Sequence, residues 1–71
     1  MQVVAANVAT IDHNDQPGER VALSIFVDDA GRYGIMTNSG EDTGHRFASQ
    51  DAADDGIYAL WGNGWNLEYA Q

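Results

Sequence analysis

At 71 residues the chain has room for a single domain, residues 1–71, with a core contributing only about 3–5 kcal/mol, a size at which natural proteins usually add a staple. It has no cysteine, which removes disulfides and thiolate metal centres, and no stretch is apolar for long enough to read as a membrane span. Eleven acids stand against three arginines and no lysine, giving a formal net charge of −8; direct binding to nucleic acid or to an anionic membrane is set aside, because both draw affinity from Lys and Arg.

Met1 to Asn7 carries neither the basic start nor the long apolar run of a signal peptide, so the chain is expected to be soluble and cytoplasmic. Residues 3–11 alternate Val4, Ala6, Val8 and Thr10 with Val3, Ala5, Ala9 and Ile11. Both sets are small and apolar, which predicts a strand buried on two sides or curled across a small barrel. Residues 12–19 then read as a loop, with Pro17-Gly18 as its turn.

Residues 20–28 give the clearest strand: Val21, Leu23, Ile25 and Val27 point to one face, Ala22, Ser24, Phe26 and Asp28 to the other. Asp28-Asp29-Ala30-Gly31-Arg32 has the Asp and Gly placement of a type I turn closed by a Gly bulge. A third strand over residues 33–37 should therefore return antiparallel, with Tyr33, Ile35 and Thr37 on one face. Residues 38–44 are polar and glycine-containing, and read as a loop.

Near residue 47 the period changes. Ser49 suits an N-cap, Asp51 favours the positive end of a helix, and Ala52 and Ala53 are good helix formers, so a short helix is expected to end at Gly56. Residues 56–69 then read as a hairpin about Asn63-Gly64, pairing Gly62 with Trp65, Leu60 with Leu67 and Tyr58 with Tyr69. Tyr58, Leu60, Trp65, Leu67 and Tyr69 would share one face. The competing reading carries the helix through Trp61, since Ala53, Ile57, Leu60 and Trp61 also fit helical spacing; the hairpin is preferred because Gly inside a helix costs about 1 kcal/mol relative to Ala. The expected fold is α+β, a small antiparallel sheet of about five strands with one short helix between the third and fourth.

No catalytic motif emerges. His13 and His45 sit in polar segments without a convergent ligand set, Ser24, Ser39 and Ser49 lack a neighbouring base, and no glycine pattern cradles phosphate. Asp51 to Gly56 begins like an EF-hand loop but has Ala at the third position and lacks the closing Glu. A chain this short is also expected to lack space for both a core and a substrate pocket of usual volume. The expectation is a protein that is not an enzyme and carries no cofactor or metal.

What remains is the distribution of acids, concentrated in turns and in the helix. Asp28, Asp29, Glu41, Asp42, Asp51, Asp54 and Asp55 are the candidate partner-binding residues, each accepting from Arg or Lys of a protein with a basic DNA-binding surface. With the clusters Asp28-Asp29, Glu41-Asp42 and Asp54-Asp55, this small, acidic, cysteine-free chain resembles in type the phage-encoded anti-CRISPR proteins, several of which mimic DNA. The resemblance implies a non-enzymatic inhibitor, a monomer or homodimer in the cytoplasm of an infected bacterial host, that blocks target-DNA binding by a Cas effector subunit. The alternative is a small acidic structural or accessory protein whose charge serves solubility or salt adaptation.

Overall fold

The computed structural model describes the backbone of residues 2–13 and 16–70, and the side chains of all of these except 13 and 16–19. In chain order the elements are β1 (Gln2–His13), β2 (Gln16–Val27), β3 (Tyr33–Thr37), β4 (Asp42–Phe47), α1 (Gln50–Trp61) and β5 (Glu68–Tyr69). The five strands form one antiparallel sheet in the order β4-β3-β2-β1-β5, and α1 packs on one face of it, against β2, β3 and β4.

The centre of the sheet is β2, which has the alternation to be central and is buried on both faces. Leu23 and Ile25 point toward α1 and join Ala9, Ile11, Ile35, Ala53 and Ile57 in the core. Full burial of side chains of this size stabilises by about 1.5–3 kcal/mol each. On the other face Phe26 is also fully buried, although no helix covers it. Its ring lies across Gly34 on β3, where an added Cβ would overlap it, and the Arg46 guanidinium sits 4.9 Å from its centroid. Glycine is needed at position 34 so that the ring can lie flat on the strand.

The turn after β2 forms as its residues require. Gly31 takes φ +80, its N–H donates to Asp28 O, and Asp28 Oδ1 accepts from the N–H of Ala30 and Arg32, so the chain reverses directly into β3 over the expected residues. In β1 the expected two-sided burial does not form: in the C-terminal half Ala9 and Ile11, which share a face, reach the core, whereas Val8 and Thr10, on the other face, are only half-buried. Ala5 pairs with Ile25 and Ala9 with Leu23, so β1 carries surplus residues at a bulge. There Asn7 adopts φ 53, a left-handed conformation that Asn tolerates, and donates its N–H to Ser24 Oγ at 2.9 Å. The bulge breaks the alternation, and Val3 and Val4 are left exposed.

Four expectations are corrected. The loop over residues 12–19 is shorter, because β1 continues to His13 and pairs with Gln16 at the start of β2; Asn14 and Asp15 lie outside the described residues, as do the side chains of His13, Pro17 and Glu19. The loop over residues 38–44 is confined to a tight turn, because Asp42 and Thr43 already belong to β4: Met36 pairs with Asp42, and Thr43 Oγ1 donates to Ile35 O at 2.7 Å. The helix therefore follows the fourth strand rather than the third.

The largest correction concerns residues 56–69. Ser49 caps α1 as expected, accepting from Ala52 N–H, but the helix passes through Gly56 to Trp61. Gly56 is buried against the Phe47 ring, where a Cβ would overlap the ring, so its missing side chain admits the helix to the sheet. The hairpin does not form: Tyr58 and Leu60 are helical, and β5 pairs instead with β1, Tyr69 opposite Ala9 and Glu68 opposite Thr10. Gly64 still takes positive φ, within a turn that closes the helix rather than a strand pair.

This geometry reverses the usual sign of a substitution. Gly56→Ala, which raises helix propensity by about 1 kcal/mol elsewhere, is expected to destabilise by about 1–3 kcal/mol here through overpacking. A lower urea midpoint than wild type at unchanged m-value is the expected result, and a higher midpoint would contradict the ring contact.

Candidate functional site

The acids divide into those the fold uses and those it leaves outward. Arg46, on the sheet face away from α1, donates from Nε to Asp28 Oδ2 at 3.0 Å and from Nη1 and Nη2 to the two carboxylate oxygens of Asp42 at 3.0 and 2.6 Å. Asp42 also accepts from Gly44 N–H at 2.8 Å. The guanidinium hydrogen bonds, followed by that amide, hold the Asp42 carboxyl down at about 2, and its carboxylate partners raise Arg46 in return. Asp28 is lowered chiefly by the Arg32 N–H and further by Arg46. Asp28 thus closes the β2–β3 turn, and with Asp42 it anchors the cation that stacks on Phe26.

Arg20 does the same at the other end of the sheet. It bonds Asp12 Oδ1 at 2.7 Å, Glu68 Oε2 at 3.0 Å, and both the carbonyl and the hydroxyl of Thr10, tying β2 through β1 to β5. Asp12 is lowered by Arg20 first and then by Asn66, whose amide also donates to it.

Of the remaining candidates, Asp29 is exposed in the β2–β3 turn and Glu41 in the β3–β4 turn. Asp51, Asp54 and Asp55 are exposed on α1, and with Tyr58 they occupy positions i, i+3, i+4 and i+7, a stripe opposite the buried Ala53, Gly56 and Ile57. Tyr58 is 66% exposed and Tyr69 44% exposed. The Tyr69 hydroxyl is raised above its ordinary value, first by burial and then by the charges of Asp54 and Asp55, so β5 and the α1 stripe share one electrostatic neighbourhood. The structure does not bring all seven candidates together: Asp51, Asp54 and Asp55 form one surface, whereas Asp28 and Asp42 belong to the opposite face of the sheet. The two tyrosines were not singled out from sequence as surface residues, because the hairpin reading assigned both to a covered face.

A second feature lies where α1 ends and the sheet continues. There an open groove of about 690 Å³ has Ile11, Val21 and Leu23 at its base and Trp61 and Trp65 along its side. Its polar lining includes Asp12 and Arg20 and, from the β3–β4 turn, Asn38, Ser39 and Glu41. The volume falls within the range of small-ligand sites, contrary to the expectation from chain length. Trp61 is half-buried and packs edge-to-face with His45 at a ring-centroid distance of 6.0 Å; His45 stands on β4 rather than in a loop. Among the described residues no group of three His, Asp or Glu side chains is arranged to hold a metal ion, and no helix is long and apolar enough to cross a membrane. No protein-family model matches the chain, and no curated protein or solved structure is significantly similar to it.

The Arg46 cluster sets an acid limit. A carboxyl lowered on folding contributes stability that is complete above its unfolded value, 3.8 for Asp42, and disappears as pH falls through its folded value of about 2. Urea midpoints should therefore drop as pH falls across this window, and Asp42→Asn should flatten that part of the profile while lowering stability at neutral pH. An unchanged slope in Asp42→Asn would contradict the assignment.

Proposed function

We propose that this protein is an inhibitor that binds the basic DNA-recognising surface of another protein by acidic mimicry of DNA. A Cas effector subunit is the partner class to which the resemblance to anti-CRISPR proteins points. The observation carrying the reading is the outward stripe of Asp51, Asp54 and Asp55 with the exposed Tyr58, for which the fold supplies no basic neighbour from Arg20 or Arg46.

Carboxylates one helical turn apart are separated by about 5.4 Å along the axis, of the same order as the ~3.4 Å axial step between phosphates on one DNA strand. A groove of Arg and Lys shaped for phosphates can accept such a row. Tyr58 and Tyr69 add large, rigid contact area at low ordering cost, the property that makes tyrosine frequent in interface centres. The net charge of −8 accelerates encounter with a basic partner and repels nucleic acid. Asp28 and Asp42 are assigned to fold integrity, so the proposed binding set narrows to the α1 acids, with Glu41 and Asp29 as peripheral charges.

Replacing Asp51, Asp54 and Asp55 together with Asn should weaken binding roughly ten-fold or more, from about 0.2–1 kcal/mol per exposed pair and more for any pair desolvated on binding. Far-UV circular dichroism and the thermal midpoint should be retained. The assay is capture from bacterial lysate at low salt with elution by duplex DNA: wild type retains a DNA-binding protein that the duplex displaces, and the triple variant does not. Partners indifferent both to duplex DNA and to the triple substitution would assign the acid excess to a structural or accessory protein instead.

A further inference from the structure

We infer that the groove between the end of α1 and the open part of the sheet is a receptor for a guanidinium-bearing side chain, an arginine of the protein partner. This deepens the reading above and rests on it for the source of the cation, but it concerns a surface separate from the α1 stripe.

Charge decides the sign of the occupant. Arg20 is the groove's cation, and it is already neutralised by Asp12 at 2.7 Å and Glu68 at 3.0 Å, with Thr10 taking further bonds. Asp12 is in turn satisfied by Arg20 and Asn66. The remaining charge is Glu41, whose carboxylate has no hydrogen bond or ion pair among the described residues. Its backbone is nevertheless fixed: Glu41 N–H donates to Thr37 Oγ1 at 3.2 Å, and Glu41 O accepts from Thr37 N–H at 2.9 Å. An anion would meet a net negative site in a chain of charge −8, whereas a cation would meet the Glu41 carboxylate, carried on a fixed stretch of backbone.

The indoles decide the shape. Trp61 and Trp65 both line the groove, and a flat cation that stacks on indole faces is favoured, Arg more often than Lys. The apolar base of Ile11, Val21 and Leu23 suits the methylene stem, which side chains of this kind bury while the charged head stays at a polar rim. A neutral sugar also stacks on Trp but would leave Glu41 without a counter-charge, so it is the competing occupant.

Both tryptophans of the chain line the groove, so intrinsic fluorescence reports on this site directly. The full chain is titrated at physiological salt with N-acetyl-arginine amide and, separately, with methyl glucoside. A saturable change in emission with the arginine probe is expected, weakened about two- to five-fold in Glu41→Gln, the range of a partly exposed ion pair, and abolished in Glu41→Lys. The triple substitution Asp51→Asn, Asp54→Asn and Asp55→Asn should leave the titration unchanged. No response to the arginine probe, equal affinity in Glu41→Gln, loss in the α1 variant, or preference for the glucoside would each overturn the inference. Its failure is separable from that of the inhibitor reading: DNA-displaceable capture that survives Glu41→Lys overturns only the groove, and arginine binding without such capture overturns only the inhibitor.

Discussion

The contact on which most of this structure depends is the Phe47 ring lying against the backbone of Gly56. It joins the last residue of β4 to the middle of α1, and no side chain at position 56 could be accommodated between them. Because the helix sits this close, Ala53 and Ile57 reach Ile35, Ile25 and Leu23, and a core of few residues is sealed. The same seating fixes the rotation of α1 about its axis. Asp51, Asp54, Asp55 and Tyr58 are thereby turned outward, and Trp61 is carried past the last covered part of the sheet to become a side of the groove. Both candidate surfaces follow from one close approach.

With only three arginines, how they are used determines what the acidic surface can do. Arg46 stands in for a missing second layer: stacked on Phe26 and held by Asp28 and Asp42, it shields an aromatic ring on a face with no helix above it. Arg20 ties the two-residue β5 to the sheet through Glu68, which otherwise rests on a short ladder with β1. Arg20 and Arg46 are each set between two carboxylates, so four acids are committed to the fold. The charge left outward is not an even coat but is concentrated in a stripe on α1, with Glu41 at the β3–β4 turn. An acidic composition has become a patterned one.

The fold was legible where one residue type had one role. Alternation gave the core face of β2, the Asp and Gly spacing gave the β2–β3 turn, and Ser49 gave the start of α1. It was illegible where a residue answered to a distant partner. Gly56 looks like a terminator in sequence and is a packing device in three dimensions, a distinction that depends on Phe47 nine positions earlier. β4 was hidden because Asp42, Gly44 and Arg46 have loop-like chemistry, and only the Met36 and Gly34 ladder with the Arg46 ion pairs makes them a strand. The candidate site shows the same division. Choosing turn and helix acids from sequence took in the acids that line one face of α1, yet it could not separate Asp28 and Asp42, whose partner Arg46 lies 18 and 4 positions away. The helical spacing of Asp51, Asp54, Asp55 and Tyr58 was available all along, and became a surface once the helix was carried past Gly56.

The two surfaces differ in the physics by which each would hold a basic partner. The α1 acids are exposed, so their attraction acts over a Debye length of about 8 Å at physiological salt and governs encounter more than persistence. The groove is lined by a carboxylate, two indoles and apolar side chains, and a cation entering it would be held by contacts that salt screens less. A net charge of −8 draws basic surfaces of many kinds without distinguishing them. Discrimination requires shape, and in this molecule shape is concentrated in the groove that Trp61, Trp65 and the backbone-fixed Glu41 line. A long-range field with a separate short-range receptor would let a small domain combine rapid encounter with selectivity, with Arg20 at the groove already neutralised by the acids through which it ties the sheet together.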